Sequence, residues 1–194
     1  LYINKKPVTS EFGELQLTDY GISGIPVFQL SRYVSYGIYN KKKVTAAIDF
    51  LPEYSIEDWV AFVADKWKNS SKDLSAEEFF QGFLNKKLNL MFLKLSGIKA
   101  ETPLKQLKFS KIEEVISHMK GWEIEIEGTN PYENAQVCAG GVSMDEITLQ
   151  MESKIVPGLY FAGELLDVDG RCGGYNLQWA WTSGYLAGNA ASKS

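Results

Sequence analysis

The residues best suited to chemistry lie near the end of the chain, between residues 158 and 188. A short apolar run, residues 159–162, ends in Gly163 and Glu164, and a glycine-rich loop separates it from Tyr175. The pattern predicts a buried strand, a loop and a helix that begins at about Tyr175. This order can hold a flat, polar cofactor, because ligands of open α/β sheets lie at the carboxyl ends of the strands.

The groups in this stretch match the needs of a flavin. Glu164 can accept hydrogen bonds from a sugar or ribityl chain, while Gly173 and Gly174 permit positive φ and a close approach of the backbone. The first N–H groups of the helix would stabilise the negative charge that the flavin N1–C2=O edge gains on reduction. Asn176 and Gln178 could add amide contacts. The alternative is a glycine-rich strand-to-helix connection with a solvated Glu164.

The composition is ordinary for a soluble globular protein, with 45% apolar residues, 23% charged residues and a net charge of −4. No basic stripe is visible, so we expect no nucleic-acid partner. No apolar run approaches the roughly 20 residues that span a bilayer, and the first residues do not resemble a signal peptide. We therefore expect a cytoplasmic protein without a membrane partner.

The sequence gives little support for a metal site or for a catalytic relay that uses histidine. Cys138 and Cys172 lie far apart and outside any Cys-x-x-Cys pattern, and His118 is the single histidine, so no metal site is expected. Free thiols are expected, with a Cys138–Cys172 disulfide as the alternative. His118 lies in a helical pattern and is interpreted as an exposed helix residue. We assign no catalytic acid or base.

The rest of the chain alternates between strands and helices. Residues 14–18, 43–50, 122–128 and 133–139 have the composition or the alternation of strands. Residues 27–34 follow a proline with a helical period. The strands therefore flank a helical insertion.

The helical insertion carries its own start signals. Capping boxes, in which an acid follows three residues after a serine, begin at Ser55, Ser75 and Ser110, and a short helix over residues 88–95 ends near Gly97. Aromatic residues recur at helical spacing, and we assign them to the core. The aromatic residues are Trp59, Trp67, Phe79, Phe80 and Phe83.

The C-terminal motifs together resemble a known family. Val-Cys-Ala-Gly-Gly-Val-Ser at residues 137–143, Met-Glu-Ser-Lys at 151–154 and the string that begins Gly-Leu-Tyr-Phe-Ala-Gly-Glu at 158 are similar to the closing segment of the BaiN-like (YhiN-type) bacterial flavoproteins. These are described as NAD(P)/FAD-dependent oxidoreductases. Residues 13–26 resemble a second motif of the family, and the resemblance covers nearly the whole chain.

The resemblance implies an α+β fold in three parts, in agreement with the strand–helix–strand order. Residues 1–52 and 121–139 would form a small β-barrel-like domain, and residues 53–120 an inserted helical subdomain. Residues 140–194 would be the C-terminal strand–loop–helix segment of a two-segment FAD-binding α/β domain.

The same resemblance implies FAD as the cofactor. Glu164 would face the ribityl chain, and residues 173–177 would lie beside the isoalloxazine ring. Tyr175 and Arg171 are the candidates for a role near the ring. The implied cofactor-binding residues are Gly163, Glu164, Gly173, Gly174, Tyr175, Asn176 and Leu177.

One departure from the family pattern concerns the dinucleotide fingerprint. No Gly-x-Gly-x-x-Gly with the required context occurs, so we expect the phosphate and adenosine sites to belong to an N-terminal Rossmann segment outside these residues. The chain would then be a C-terminal fragment that binds FAD weakly and is inactive by itself. The alternative is a cofactor-free interaction module, in which Trp59, Trp67, Phe79 and Phe80 would contribute to an exposed patch.

Overall fold

The computed structural model describes residues 1–193 and confirms the α+β class. Two compact units are present: a first unit of residues 1–6 and 44–126, and a second unit of residues 7–43 and the chain from residue 127 onward. The described helices are α1 (Ile25–Tyr39), α2 (Ile56–Asn69), α3 (Ala76–Phe80), α4 (Lys86–Leu95), α5 (Phe109–Lys120) and α6 (Tyr175–Ala191). The described strands are β1 (Tyr2–Ile3), β2 (Lys6–Pro7), β3 (Gln16–Leu17), β4 (Ile22–Ser23), β5 (Val44–Ile48) and β6 (Trp122–Glu125).

A four-stranded sheet in the order β2-β1-β5-β6 accompanies the helices of the first unit. Strand β5 pairs antiparallel with both of its neighbours, and Ile48 lies opposite Trp122. The alternating burial of β6 agrees with the predicted amphipathic strand, although the strand ends at Glu125. The predicted strand over residues 43–50 is likewise confirmed as β5.

The helix starts in the first unit follow two of the three predicted capping boxes. Ser55 and Ser75 cap α2 and α3 through their side chains. The box at Ser110 is wrong, because α5 already begins at Phe109 with Lys108 at its N-cap. Phe109 packs against the core and lies 5.9 Å from the Trp67 ring, and we attribute the earlier helix start to this packing.

Aromatic side chains form the centre of the first unit, as the sequence predicts. Phe79, Phe80 and Phe92 are fully buried, and Trp59 and Trp67 pack against them while partly buried. The rings of Phe79 and Phe80 meet edge to face at 5.3 Å, an arrangement that their quadrupoles favour. The exposed aromatic patch of the alternative interpretation is therefore wrong.

His118 is half-buried rather than exposed, which corrects the sequence-based interpretation. Its Nδ1 lies 3.0 Å from Ser96 Oγ, where α4 ends beside α5. Helical periodicity assigned the residue to α5 correctly. The neighbour that covers it comes from another helix, which periodicity does not report.

The second unit begins with the β3–β4 hairpin and α1. The predicted strand over residues 14–18 is shorter in the structure, where β3 comprises Gln16–Leu17. Helix α1 has Pro26 in its first turn, as predicted, and extends beyond residues 27–34 to Tyr39. Arg32 on this helix forms an ion pair with Asp169 in the same unit, with 2.8 Å between Nη1 and Oδ2.

Two predicted strands are wrong in the second unit. Residues 133–139 form a short 3₁₀ turn over Tyr132–Asn134 followed by irregular backbone, and residues 159–162 make one isolated bridge, between Tyr160 and Glu152. Both segments have apolar residues but no neighbouring strand along their whole length in the described part of the chain, and a strand needs such a partner. Helix α6 begins at Tyr175, as predicted.

Candidate cofactor site

The turn that carries Glu164 is attached to the buried side of α6. Gly163 N–H donates to Ser183 Oγ (2.9 Å), and Gly163 O accepts a hydrogen bond from Trp179 Nε1 (3.2 Å). Ser183 is fully buried, and its hydroxyl donates to Trp179 O (2.7 Å). The helix thus holds both polar backbone groups of Gly163, which begins the 3₁₀ turn Gly163–Leu165 with φ 67°.

We predict that Ser183→Ala destabilises the second unit by about 1–3 kcal/mol, because the Gly163 N–H and the α6 backbone lose a buried partner. Thermal unfolding and amide hydrogen exchange at Gly163 measure the effect, and exchange should be faster in the variant. Ser192→Ala is the control, since that hydroxyl is exposed and bonds only to Asn189 O (3.0 Å). Equal losses in the two variants would contradict the prediction.

The carboxylate of Glu164 is oriented by a second segment of the chain. Glu164 Oε1 accepts a hydrogen bond from Cys138 N–H (2.8 Å). Nearby, Val142 N–H donates to Leu165 O (2.8 Å) and Val142 O accepts from Asp167 N–H (2.9 Å). The segment after Cys138 therefore runs alongside the turn and aligns an exposed carboxylate.

A tyrosine and a thiol lie beside this carboxylate. The hydroxyl of Tyr132 hydrogen-bonds to Cys138, which raises the pKa of Tyr132, and the negative charge of Glu164 adds to the shift. Both cysteines are free thiols, Cys138 half-buried and Cys172 exposed. The predicted free thiols are thus present, and the alternative Cys138–Cys172 disulfide is absent.

The N-terminus of α6 presents donors without partners. The first backbone bond into the helix is from Gln178 N–H to Gly174 O (2.9 Å), so within residues 1–193 the N–H groups of Tyr175, Asn176 and Leu177 have no acceptor. Gly174 caps the helix with φ 93°, and a Cβ there would meet no atom within 4 Å. The residues fit the polarised edge of a flat ring, because open space adjoins three oriented donors.

Asn176 closes the loop before the helix instead of offering its amide to solvent. Its Oδ1 accepts from Gly170 N–H (2.7 Å) and its Nδ2 donates to Gly170 O (3.2 Å). A Cβ on Gly170 would lie 3.0 Å from Tyr175 Cβ, so this glycine is needed for close packing. Tyr175 and Leu177 are 65% and 63% exposed, which leaves their side chains available for contacts.

Comparison with known proteins identifies the family of this chain. Residues 1–137 match the family described as HI0933-like protein barrel and H2TH domain. The chain belongs to this flavoprotein family. It is 44% identical over 192 residues to the 3-dehydro-bile acid delta(4,6)-reductase of Clostridium scindens, covering 98% of this chain and 47% of that protein. The resemblance to the BaiN-like oxidoreductases is thus confirmed.

Two further relatives of this chain are named ribosomal RNA dihydrouridine synthase. The protein from Escherichia coli is 34% identical over 184 residues, with 92% of this chain and 43% of that protein covered. The protein from Haemophilus influenzae is 33% identical over 185 residues, with 95% and 43% covered. The chain spans about half the length of the curated relatives it matches.

Several residues that organise this candidate site escaped the sequence interpretation. Ser183 was visible only as one of several small residues of the helix, and Trp179 only as an aromatic residue in it. Both side chains hydrogen-bond to the backbone of Gly163, so their role depends on where the fold places that residue. Arg171, a candidate for a role near the ring, has an exposed guanidinium 3.6 Å from Glu11 Oε1.

In the part of the chain that the structure describes, no group of three or more His, Cys, Asp or Glu side chains could hold a metal ion. None of the described helices combines the length and the apolar character needed to cross a bilayer.

Proposed function

We propose that the region from Cys138 to Gly188 supplies the ring and ribityl side of an FAD site in a flavoprotein oxidoreductase. The observation that carries the proposal is the set of three N–H groups at the start of α6 that have no partner among the described residues and lie beside open space. Bound FAD supplies hydride transfer, and the protein supplies orientation and electrostatics. The family membership of the chain supports the same cofactor.

The residues divide into those that would touch FAD and those that hold them. The N–H groups of residues 175–177 would donate to the C2=O edge of the ring, and the Glu164 carboxylate would accept from ribityl hydroxyls. Ser183 and Asn176 act through the backbone that they fasten. Gly173, with φ 122°, keeps the approach to the helix N-terminus free of a side chain.

The remaining part of the FAD site would come from a Rossmann segment that residues 1–194 do not contain. The relatives, of which this chain matches less than half, are long enough to include one. The phosphate cradle provides much of the affinity for a dinucleotide. We therefore propose that this chain alone holds FAD weakly and is inactive, and that the complete flavoprotein uses NAD(P)H in the cytoplasm.

The names of the relatives suggest the reaction class. A delta(4,6)-reductase and a dihydrouridine synthase both add hydrogen to carbon–carbon double bonds. We propose the same class here: a hydride and a proton are added to a double bond conjugated to a carbonyl group, with NAD(P)H as the source of the hydride. The cofactor-free module has no comparable support, because the aromatic patch on which it depended is buried.

Replacing Leu177 with proline tests the helix N-terminus directly. Proline removes one N–H and is tolerated in the first turn of a helix. Loss of a hydrogen bond to a charged or polarised group costs about 1.5–3 kcal/mol, so FAD affinity should fall roughly 10- to 100-fold. Fluorescence titration of deflavinated full-length protein with FAD measures the change.

Leu177→Ala is the matched control, because it removes the same side chain and keeps the N–H. We expect its FAD affinity to stay close to that of the wild type, and circular dichroism should show the same helix content in both variants. Equal FAD affinities in the proline and alanine variants would refute the assigned role of this helix. A full-length protein that takes up no FAD would refute the proposed function itself.

A further inference from the structure

The loop before α6 places a carboxylate close to the helix N-terminus. Asn176 holds both polar backbone groups of Gly170, at 2.7 and 3.2 Å. A Cβ on Gly170 would lie 3.6 Å from the backbone nitrogen of Asn176, which is one of the three N–H groups that have no acceptor within residues 1–193. Asp169 is joined to Gly170 by one peptide bond, so it introduces a negative charge near these donors.

An uncompensated carboxylate at position 169 would oppose the reduction of a flavin. It would attract the positive end of α6, and the same N–H groups would then be shared between the carboxylate and the ring. It would also repel the charge that the C2=O edge gains on reduction. Both effects weaken the binding of reduced FAD more than that of oxidised FAD, because only the reduced ring carries the added charge.

Arg32 on α1 supplies the compensating charge within the same unit. Its Nη1 lies 2.8 Å from Asp169 Oδ2, although the two residues are 137 positions apart in the sequence. The centre of the guanidinium also lies 4.9 Å from the centroid of the Tyr33 ring, a contact that favours this position of the cation. The carboxylate of Asp169 is thus neutralised and turned toward α1.

The exposure of this ion pair limits what it contributes to stability. The side chains of Arg32 and Asp169 are 42% and 23% exposed, and partly exposed ion pairs stabilise a fold only slightly. The second ion pair of the loop, between Arg171 and Glu11, is longer at 3.6 Å, and its arginine is 76% exposed. Arg32 is therefore better placed than Arg171 to control the charge at position 169.

We propose that Arg32 is a positioning residue for flavin reduction, which neutralises Asp169 and keeps the first N–H groups of α6 free for the reduced ring. The inference rests on the proposed FAD site. Arg32 acts through Asp169 and does not need to touch the ring. Its effect is on the reduction potential of the bound flavin, which is independent of the identity of the substrate.

The test compares three variants of the full-length protein loaded with FAD: Arg32→Gln, Asp169→Asn and the double variant. The midpoint potential is measured by spectroscopic redox titration against a reference dye. For Arg32→Gln we expect a potential about 30 mV lower, which corresponds to a tenfold loss of affinity for reduced FAD relative to oxidised FAD. Asp169→Asn should shift the potential upward, because it leaves the positive charge of Arg32 beside the loop.

The double variant separates charge compensation from a merely structural role. It contains neither charge, so the relative affinity for the two forms of FAD should return to within about twofold of the wild type. If the ion pair only fastened the loop, both single variants would lose affinity for FAD and the double variant would not recover it. An unchanged potential in Arg32→Gln, or no recovery in the double variant, would overturn the proposal.

Lys42→Gln is the control for the loss of one positive charge. Lys42 is exposed and lies beyond the end of α1, and Arg32 is about 10 Å from that end along the helix axis. This distance is about one Debye length at 0.1 M ionic strength, so the charge is largely screened. The potential of this variant should equal that of the wild type, and an equal fall in Lys42→Gln and Arg32→Gln would also overturn the proposal.

Flavin content separates the two levels of inference. Wild-type protein that binds FAD, with a potential that does not respond to Arg32→Gln, refutes the role of Arg32 and leaves the proposed flavin site intact. Wild-type protein that takes up no FAD refutes the flavin site and with it the role of Arg32. Thermal unfolding of the apoproteins, in which we expect closely similar midpoints, shows that the variants are folded.

Discussion

Gly141→Ala is expected to displace the segment that aligns Glu164 and to release most of the flavin from the full-length protein. A Cβ at this position would lie 2.6 Å from Leu165 O and 3.0 Å from Asp167 N. These are backbone atoms, and they belong to the strand-like contact between Val142 and Leu166. The backbone can make room only by breaking the hydrogen bonds that join the two segments.

Gly140→Ala separates the steric clash from the cost of backbone strain. Both glycines have positive φ, 101° and 137°, so each alanine variant carries strain of about 1–3 kcal/mol. A Cβ at Gly140 meets nothing within 4 Å, whereas the overpacking at Gly141 adds about 1–3 kcal/mol. Thermal unfolding and the ratio of flavin to protein absorbance after desalting measure both effects.

The expected order is a modest loss for Gly140→Ala and a larger loss, with several-fold lower flavin content, for Gly141→Ala. Similar stability and flavin content in the two variants would show that the segment after Cys138 does not hold the turn that carries Glu164. That result would leave the helix N-terminus as the candidate contact with the ring.

Phe79→Ala should produce the largest loss of stability, about 3–5 kcal/mol, because it opens a cavity at the centre of the first unit. The Phe79 side chain is fully buried and its ring contacts Phe80 at 5.3 Å and Trp67 at 5.8 Å. Its carbonyl oxygen also accepts a hydrogen bond from Lys66 Nζ (2.6 Å), which the substitution leaves in place. The loss therefore reports side-chain packing.

Urea unfolding followed by circular dichroism measures this loss, with Phe12→Ala as the control. Phe12 is 80% exposed, so its replacement should change the free energy of unfolding by less than about 0.5 kcal/mol. A loss at Phe79 no greater than that at Phe12 would contradict the assignment of the aromatic residues to a packed core.

Local signals in the sequence were sufficient for most helices. The serine boxes at Ser55 and Ser75 work through atoms three residues apart, and the start of α6 follows two glycines with positive φ. The aromatic core of the first unit follows from helical periodicity, because each helix must bury its apolar face. Each of these signals lies within one helical turn or on one face of a single helix.

Predictions failed where the deciding partner is distant in sequence. Ser110 has the pattern of a cap, but Phe109 is drawn into the core and α5 starts before it. Residues 133–139 and 159–162 have apolar residues suited to strands, and a strand exists only where another strand pairs with it along its length.

The sequence by itself determined the α+β class, most helix starts, the aromatic core and the family. The tertiary structure decided which groups support the candidate cofactor site, because Ser183, Trp179 and Cys138 act on residues 16 to 26 positions away. It also decided that Asn176 fastens the loop while three N–H groups of α6 have no partner within residues 1–193. Hydrogen bonds between distant segments form only where the fold brings those segments together. The periodicity and spacing of residues in the sequence describe local structure and do not report such contacts.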